Sequence, residues 1–262
     1  MKTKKILSLI LALTMITAFT TGCSDSAGGN FNAFTDFEGK KIGVITGMIC
    51  DVVAENDIGA TAVYYSENSA AIEDVRRGRI DGFMIDLSIA RVIAGEFDNL
   101  RVIEIPREIF SGPLGAISAN QDIIDRFDAF LADITADGTL ADMQSRWLGE
   151  NAGSDPAMPE IALTGENGTL TVATGGTSLP FTYLGANNEL KGFSIELVTR
   201  FAASEGMSIE FETMDFAGLI PFVINGRADL GIDAITITEE RKKSVLFTAS
   251  IYDDQLGIIA LR

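Results

Sequence analysis

Residues 40–86 read KKIGVITGMICDVVAENDIGATAVYYSENSAAIEDVRRGRIDGFMID. Three apolar runs, at 41–46, 61–65 and 80–85, predict strands, and the segments 49–55 and 70–77 between them predict helices. Strands joined by short helical crossovers run in one direction, so the stretch reads as the start of a largely parallel α/β sheet. The alternation continues outward through a helix at 88–94 and strands at 100–105 and 114–118. Two helices follow, 123–134 and 140–148, divided by Asp137-Gly138, a helix stop and restart.

Residues 151–167 are dense in Gly, Pro and Asn and read as a linker. A second αβ block begins beyond it, with strands at 170–173, 208–212 and 229–232, helices at 193–204 and 217–224, and a terminal strand at 256–261. The two blocks share a joint in which a helix is followed by Gly-Arg-x-Asp and an apolar strand. It occurs at Gly78-Arg79-Ile80-Asp81 and again at Gly226-Arg227-Ala228-Asp229. Glycine suits the left-handed position just past a helix, and the Asp can bridge at the strand entry, so these residues read as structural.

Composition removes several functions. The chain has 262 residues, with 20 Lys+Arg against 37 Asp+Glu, a net charge of −17, no His and two Cys. Such acidity argues against nucleic-acid binding, which needs clustered cations to displace counterions. Lacking His, the chain cannot build Ser-His-Asp or Cys-His catalysis, His-ligated zinc or a His-held haem. At 47% hydrophobic it can bury a core.

The first residues read as an export signal. Lys2, Lys4 and Lys5 precede an apolar run from Ile6 to Phe19, whose 14 residues fall short of a bilayer span. Gly22-Cys23 follows, and this ending resembles the bacterial lipoprotein box, although Thr20 stands where a leucine is usual. The resemblance implies a signal peptide over 1–22 and lipidation of Cys23, and the Ser-, Gly- and Asn-rich stretch that follows reads as a flexible tether over 23–37. One thiol, Cys50, then remains in the body, where it reads as a buried small hydrophobe. Trp147, the only tryptophan, reads as core packing.

Several ordered segments of the second block resemble the first lobe of the family 3 extracellular solute-binding proteins, the polar-amino-acid receptors of bacterial ABC importers. They are LTVAT at 170–174, Pro180-Phe181, GFSIEL at 192–197, FAGLIPFVINGRAD at 216–229, TITEER at 236–241 and Val245-Leu246-Phe247. The first block resembles that family's second lobe through GKKIGV at 39–44, Gly47, GRIDGFMID at 78–86 and the stretch from Asp137-Gly138-Thr139 to Trp147. The resemblance implies a two-lobed, type II periplasmic-binding-protein-like α/β fold with its lobes in rotated order. The expected units are a second-lobe-like domain at 38–112, a returning strand and helices at 113–150, the linker at 151–167 and a first-lobe-like domain at 168–262. Either a circular permutation or a fragment of a tandem protein accounts for that order, and a permutation is expected to leave a single covalent hinge strand.

An amino-acid zwitterion calls for a bidentate donor at its carboxylate and an acceptor at its ammonium. By the resemblance, Arg241 grips the carboxylate beside Thr236, and Asp86 takes the ammonium. Gly47 and Met48 are expected to open a helix whose free N–H groups face the carboxylate. Phe216 and Ser178 stand at positions that wall the ligand side chain, and Ala234 and Asp233 lie alongside, Asp233 adding a negative charge. Each residue has a plainer reading too. Arg241 would suit a solvated helix start, Asp86 a cap for the helix at 88–94, and Thr236 an edge strand. The expected protein is a lipid-anchored, extracytoplasmic monomer that takes an amino acid as its small-molecule ligand and delivers it to an ABC permease. It is not an enzyme and needs no cofactor or metal. The alternatives are a cyclohexadienyl or prephenate-type dehydratase on the same fold, with Asp233 or Asp86 as general acid, and a sensory ligand-binding domain.

Overall fold

The strands expected from the apolar runs assemble into two separate five-stranded sheets in the computed structural model, which describes residues 31–148 and 152–262. The first sheet runs in space through Thr61–Tyr65, Lys41–Ile45, Gly82–Asp86, Leu256–Leu261 and Leu100–Glu104. Its first three strands are parallel, and Leu256–Leu261 is antiparallel to both of its neighbours. The second sheet runs through Ser208–Thr213, Thr169–Thr174, Leu230–Gly231, Ile117–Ser118 and Leu246–Phe247, again with three parallel strands followed by an antiparallel one. Each sheet is therefore the core of an α/β lobe, and in both the fourth strand is antiparallel and follows the other block in sequence.

This exchange corrects the expected boundaries. Strand Leu256–Leu261 completes the first sheet, although the sequence assigned it to the unit at 168–262. Its run LGIIAL is buried along nearly its whole length and would satisfy either sheet, so its pattern does not say which one it joins. The expected strand at 114–118 also divides. Gly112–Leu114 pairs antiparallel with Tyr252–Asp254, while Ile117–Ser118 enters the second sheet. These paired segments are two covalent crossings between the lobes, where one had been expected.

Helices Asn68–Arg76 and Leu87–Gly95 pack on the first sheet, and Gln121–Ala136, Phe193–Ser204 and Phe216–Ile224 on the second or on one another. Helix Thr139–Trp147 is fixed by a buried carboxylate. Glu196 accepts hydrogen bonds from Arg146, from Arg200 and, at 2.6 Å, from the Trp147 indole N–H. The rings of Phe127, Phe130 and Phe201 interlock beside it. Trp147 is fully buried, as its reading required, and Cys50 is a buried free thiol.

The repeated Gly-Arg-x-Asp joint is structural in both lobes. Gly78 and Gly226 take φ of 66° and 67°, which only glycine adopts without strain. Asp81 then accepts from the Lys41 N–H and Asp229 from the Thr171 N–H, each at 2.8 Å, tying the third strand to the first. Arg79 pairs with Asp74, and Arg227 lies over the Phe222 ring.

The expected tether needs correction over its described part. Phe31 and Phe37 are buried and stacked at 4.3 Å, with a 3-10 turn at Phe34–Phe37. Aromatic residues three apart give this segment apolar area to bury, which a Ser/Gly reading overlooks. The expected signal segment 1–22 and the expected lipidation site Cys23 lie outside the described residues. Residues 152–168 carry no helix or strand, as a linker should, yet they are docked. Asp155 accepts from the Tyr183 hydroxyl and the Lys191 ammonium, and Met158 and Leu163 pack on the core. Among the described residues no helix is long and apolar enough to cross a membrane.

Replacing Glu196 with Ala leaves two guanidiniums and an indole N–H without their acceptor. The expected loss is roughly 3 kcal/mol of unfolding free energy, read by urea denaturation followed through Trp147 fluorescence. An unchanged midpoint would mean that Glu196 does not fix the returning helices.

Candidate functional site

Loops that follow the C-terminal ends of parallel strands gather at one end of a sheet. Here those ends belong to two sheets that face each other. A cavity of about 220 Å³ lies between them, lined by Met48, Glu67 and Asn68 from the first lobe and by Ser178, Phe216 and Asp233 from the second. That is below the ~300–1,000 Å³ of drug-sized pockets, so it suits a small solute.

Three contacts close the lobes around it. Arg241 donates from Nη2 to the Gly47 carbonyl and from Nη1 to the Thr236 carbonyl, both at 2.7 Å, so one guanidinium joins both lobes. Asn68 donates from Nδ2 to the Thr177 carbonyl at 3.1 Å. Gly47 presses on Ala217, and a Cβ there would lie 3.1 Å from the Ala217 Cα. The Arg241 guanidinium also stands 5.8 Å from the centre of the Phe216 ring. Arg241 is thus a half-buried bridging group, and the solvated-helix reading does not hold. Burial lowers its pKa, and the nearby Asp86 carboxylate works in the opposite direction.

Asp86 ends strand Gly82–Asp86 and is almost wholly buried, and its Oδ2 has no hydrogen-bond partner among the described residues. It does not cap the helix that follows. Instead the Ser88 N–H donates to Asp254, on the second crossing strand. Burial pushes the Asp86 pKa well up, and the Asp254 carboxylate pushes it further. Asp254 is itself raised, chiefly by burial. Asp233 is fully buried and accepts from the Ala234 N–H at 2.8 Å and the Gly175 N–H at 3.1 Å. Desolvation outweighs these bonds and lifts its pKa to about 6.

The predicted residues divide in two groups. Met48, Ser178, Phe216 and Asp233 line the cavity, while Asp86, Arg241, Thr236, Ala234 and Gly47 form the layer behind or beside it. One expectation fails. The Met48 N–H donates to the Ile45 carbonyl at 3.1 Å, and helix Cys50–Val52 begins only after Ile49. At φ of 88°, Gly47 turns the chain so that this amide is consumed internally, and what Gly47 contributes is its carbonyl. Thr236 is buried and bridged to Leu114, and it contributes its carbonyl as well.

Sequence reasoning missed Glu67, Asn68, Asp215 and Asp254. The first two follow the strand Thr61–Tyr65 at the same sheet end as Gly47, so the strand-end rule would have flagged them. Asp254 could not be found without the second crossing.

Residues 170–262 match the family model for bacterial extracellular solute-binding proteins, family 3, so the resemblance read from the sequence holds over that segment. A probable histidine-binding protein from Campylobacter jejuni subsp. jejuni serotype O:2 is 34% identical over 84 residues, 32% of each chain. The L-cystine-binding protein TcyJ of Escherichia coli K12 is 32% identical over 83 residues, 32% of this chain and 31% of its own. The chain spans about a third of the length of the curated relatives it matches. Among solved structures, an ancestral arginine-binding protein bound to arginine is 45% identical over 29% of this chain and 34% of its own, with a TM-score of 0.29.

The burial of Asp233 has a pH signature. With a folded pKa near 6 against 3.8 unfolded, the folded state holds more protons across that window, so stability falls as pH rises through it. Relative to Asp233→Asn, the wild-type protein should lose about 3 kcal/mol between pH 3.5 and pH 7. Parallel denaturation curves for the two proteins across that range would contradict the assignment.

Proposed function

We propose that this protein is an exported solute-binding protein that captures an amino acid between its two lobes and delivers it to an ABC permease, anchored through lipid on Cys23. The observation that carries the reading is the cavity between the sheet ends, which has the Arg241 guanidinium and the buried Asp86 carboxyl, whose Oδ2 has no hydrogen-bond partner among the described residues, in the layer behind it. These are the two charges a zwitterion needs, and they come from different lobes. A ligand that engages both lobes favours the closed arrangement, because it gains contacts there that the open one lacks. The match of residues 170–262 to the family and the names of the relatives support the same reading. The rotated lobe order leaves it intact, since the strand ends that meet at the cleft do not depend on which lobe is written first.

A dehydratase is the second reading, favoured by one observation, a cavity-lining carboxyl with a pKa near neutrality. Asp233 has the ionisation a general acid requires. Turnover of a cyclohexadienyl substrate would establish it, and binding without turnover would dismiss it.

Titration calorimetry across the amino acids tests the leading reading. At least one should bind, and Arg241→Ala and Asp86→Asn should each weaken it by about 100-fold, some 3 kcal/mol. Binding to Arg241→Ala as tight as to wild type would overturn the assignment.

A further inference from the structure

A second cavity, of about 260 Å³, adjoins the first, and Glu67, Asn68 and Thr177 line both. It opens between helices Asn68–Arg76 and Leu87–Gly95 of the first lobe and the segment Thr177–Leu179 of the second. Its walls are aliphatic, formed by Ile72, Ile89, Val92, Ile93 and Leu179. The charged residues lining it are Glu67 and Glu96, neither of which forms a salt bridge among the described residues. In the first cavity the charged lining residues are Glu67, Asp215 and Asp233, and no Lys or Arg lines either space.

Resting on the reading of the cleft as an amino-acid site, we propose that the second cavity is a subsite for the ligand's side chain. That side chain is an aliphatic chain of several methylenes ending in an ammonium or guanidinium. The aliphatic walls would take the methylenes, and Glu67 with Glu96 would take the terminal cation at the rim. A carboxylate at that place would meet two like charges with no Lys or Arg in the lining to offset them. A short neutral side chain would leave the aliphatic walls unfilled and so forgo the contacts that distinguish one ligand from another. The Asn68 to Thr177 hydrogen bond spans the lobes where the two cavities join, so a chain passing beside it would lie against both lobes at closure. The selectivity then resides in this lobe-one helix pair and its rim, apart from the groups that hold the α-amino and α-carboxylate ends.

Calorimetry on the exported protein with lysine, arginine, glutamine, alanine and glutamate tests this. Lysine and arginine should bind at least tenfold more tightly than alanine or glutamine, and glutamate should bind weakest. Glu96→Gln, at a residue that lines the second cavity and not the first, should weaken lysine about fivefold or more and leave alanine and glutamine unchanged. Ile72→Phe, which fills the cavity from one wall, should do the same, and thermal melts of each variant check that it is folded. If amino acids bind but the long cationic ones hold no advantage, or if these variants leave lysine unaffected, the subsite is wrong while the functional reading stands. If no amino acid binds the wild-type protein, both fall.

Discussion

Strand exchange is the constraint on which the rest of the structure depends. Neither sheet reaches its edge strand without the antiparallel strand that arrives across the cleft, Leu256–Leu261 in one lobe and Ile117–Ser118 in the other. A missing central strand would leave the ladder of Gly82–Asp86, whose five residues are all buried, unpaired on one side. The lobes are therefore obliged to stay joined, and the joint is the two-stranded ribbon Gly112–Leu114 with Tyr252–Asp254. A ribbon of this kind bends more readily than a packed sheet, so lobe motion has a defined place in the chain. Asp254 ends that ribbon and accepts from the first turn of helix Leu87–Gly95, directly after Asp86. The hinge and the buried carboxylate are thus neighbours.

Burial sets the chemistry of the cleft more than net charge does. The chain is strongly acidic as a whole, yet the influential acids are Asp86, Asp233 and Asp254, which lie away from water, with Asp254 and Asp233 both acting on Asp86. Arg241 is the cation beside Asp86, and it spends two of its donors on carbonyls of opposite lobes. Carboxylates that repel one another and one guanidinium that draws them together make a site whose charge balance improves when a cationic group enters.

Much of this was legible in the sequence because it rests on local rules. The strand and helix alternation and the left-handed glycines at Gly78 and Gly226 follow from residues close in sequence. So does the division into two blocks. Pairings chosen at long range were not legible. The run LGIIAL is equally suited to either sheet, and the segment from Gly112 to Ser118 gives no sign that it serves two different sheets. Phe31 was read as part of a tether because its partner in stacking, Phe37, acquires meaning only once the first sheet exists. At the site, the resemblance singled out Arg241, Asp86 and Asp233, which the fold brings to the cleft, but not how their atoms are used. Glycine at position 47 signalled a turn, while the capture of the Met48 amide within that turn depends on its closed geometry.

The order of the two blocks along the chain bears on folding more than on binding. The segment 152–168, which joins the returning helices to the second block, lines neither cavity, so the cleft is chemically indifferent to it. The first sheet, however, is completed by the C-terminal strand, and the contact between Ser88 and Asp254 spans 166 residues. Closing so long a loop costs entropy before the strand pairing can repay it. Until that strand arrives, both Gly82–Asp86 and Leu100–Glu104 present open edges. The second lobe takes Ile117–Ser118 and the helices Gln121–Ala136 and Thr139–Trp147 from outside its block, all of which precede it in the chain, so it can complete itself before Leu256–Leu261 pairs with the waiting sheet. On this ordering the first lobe closes last, and the cleft forms in the same event that completes the fold.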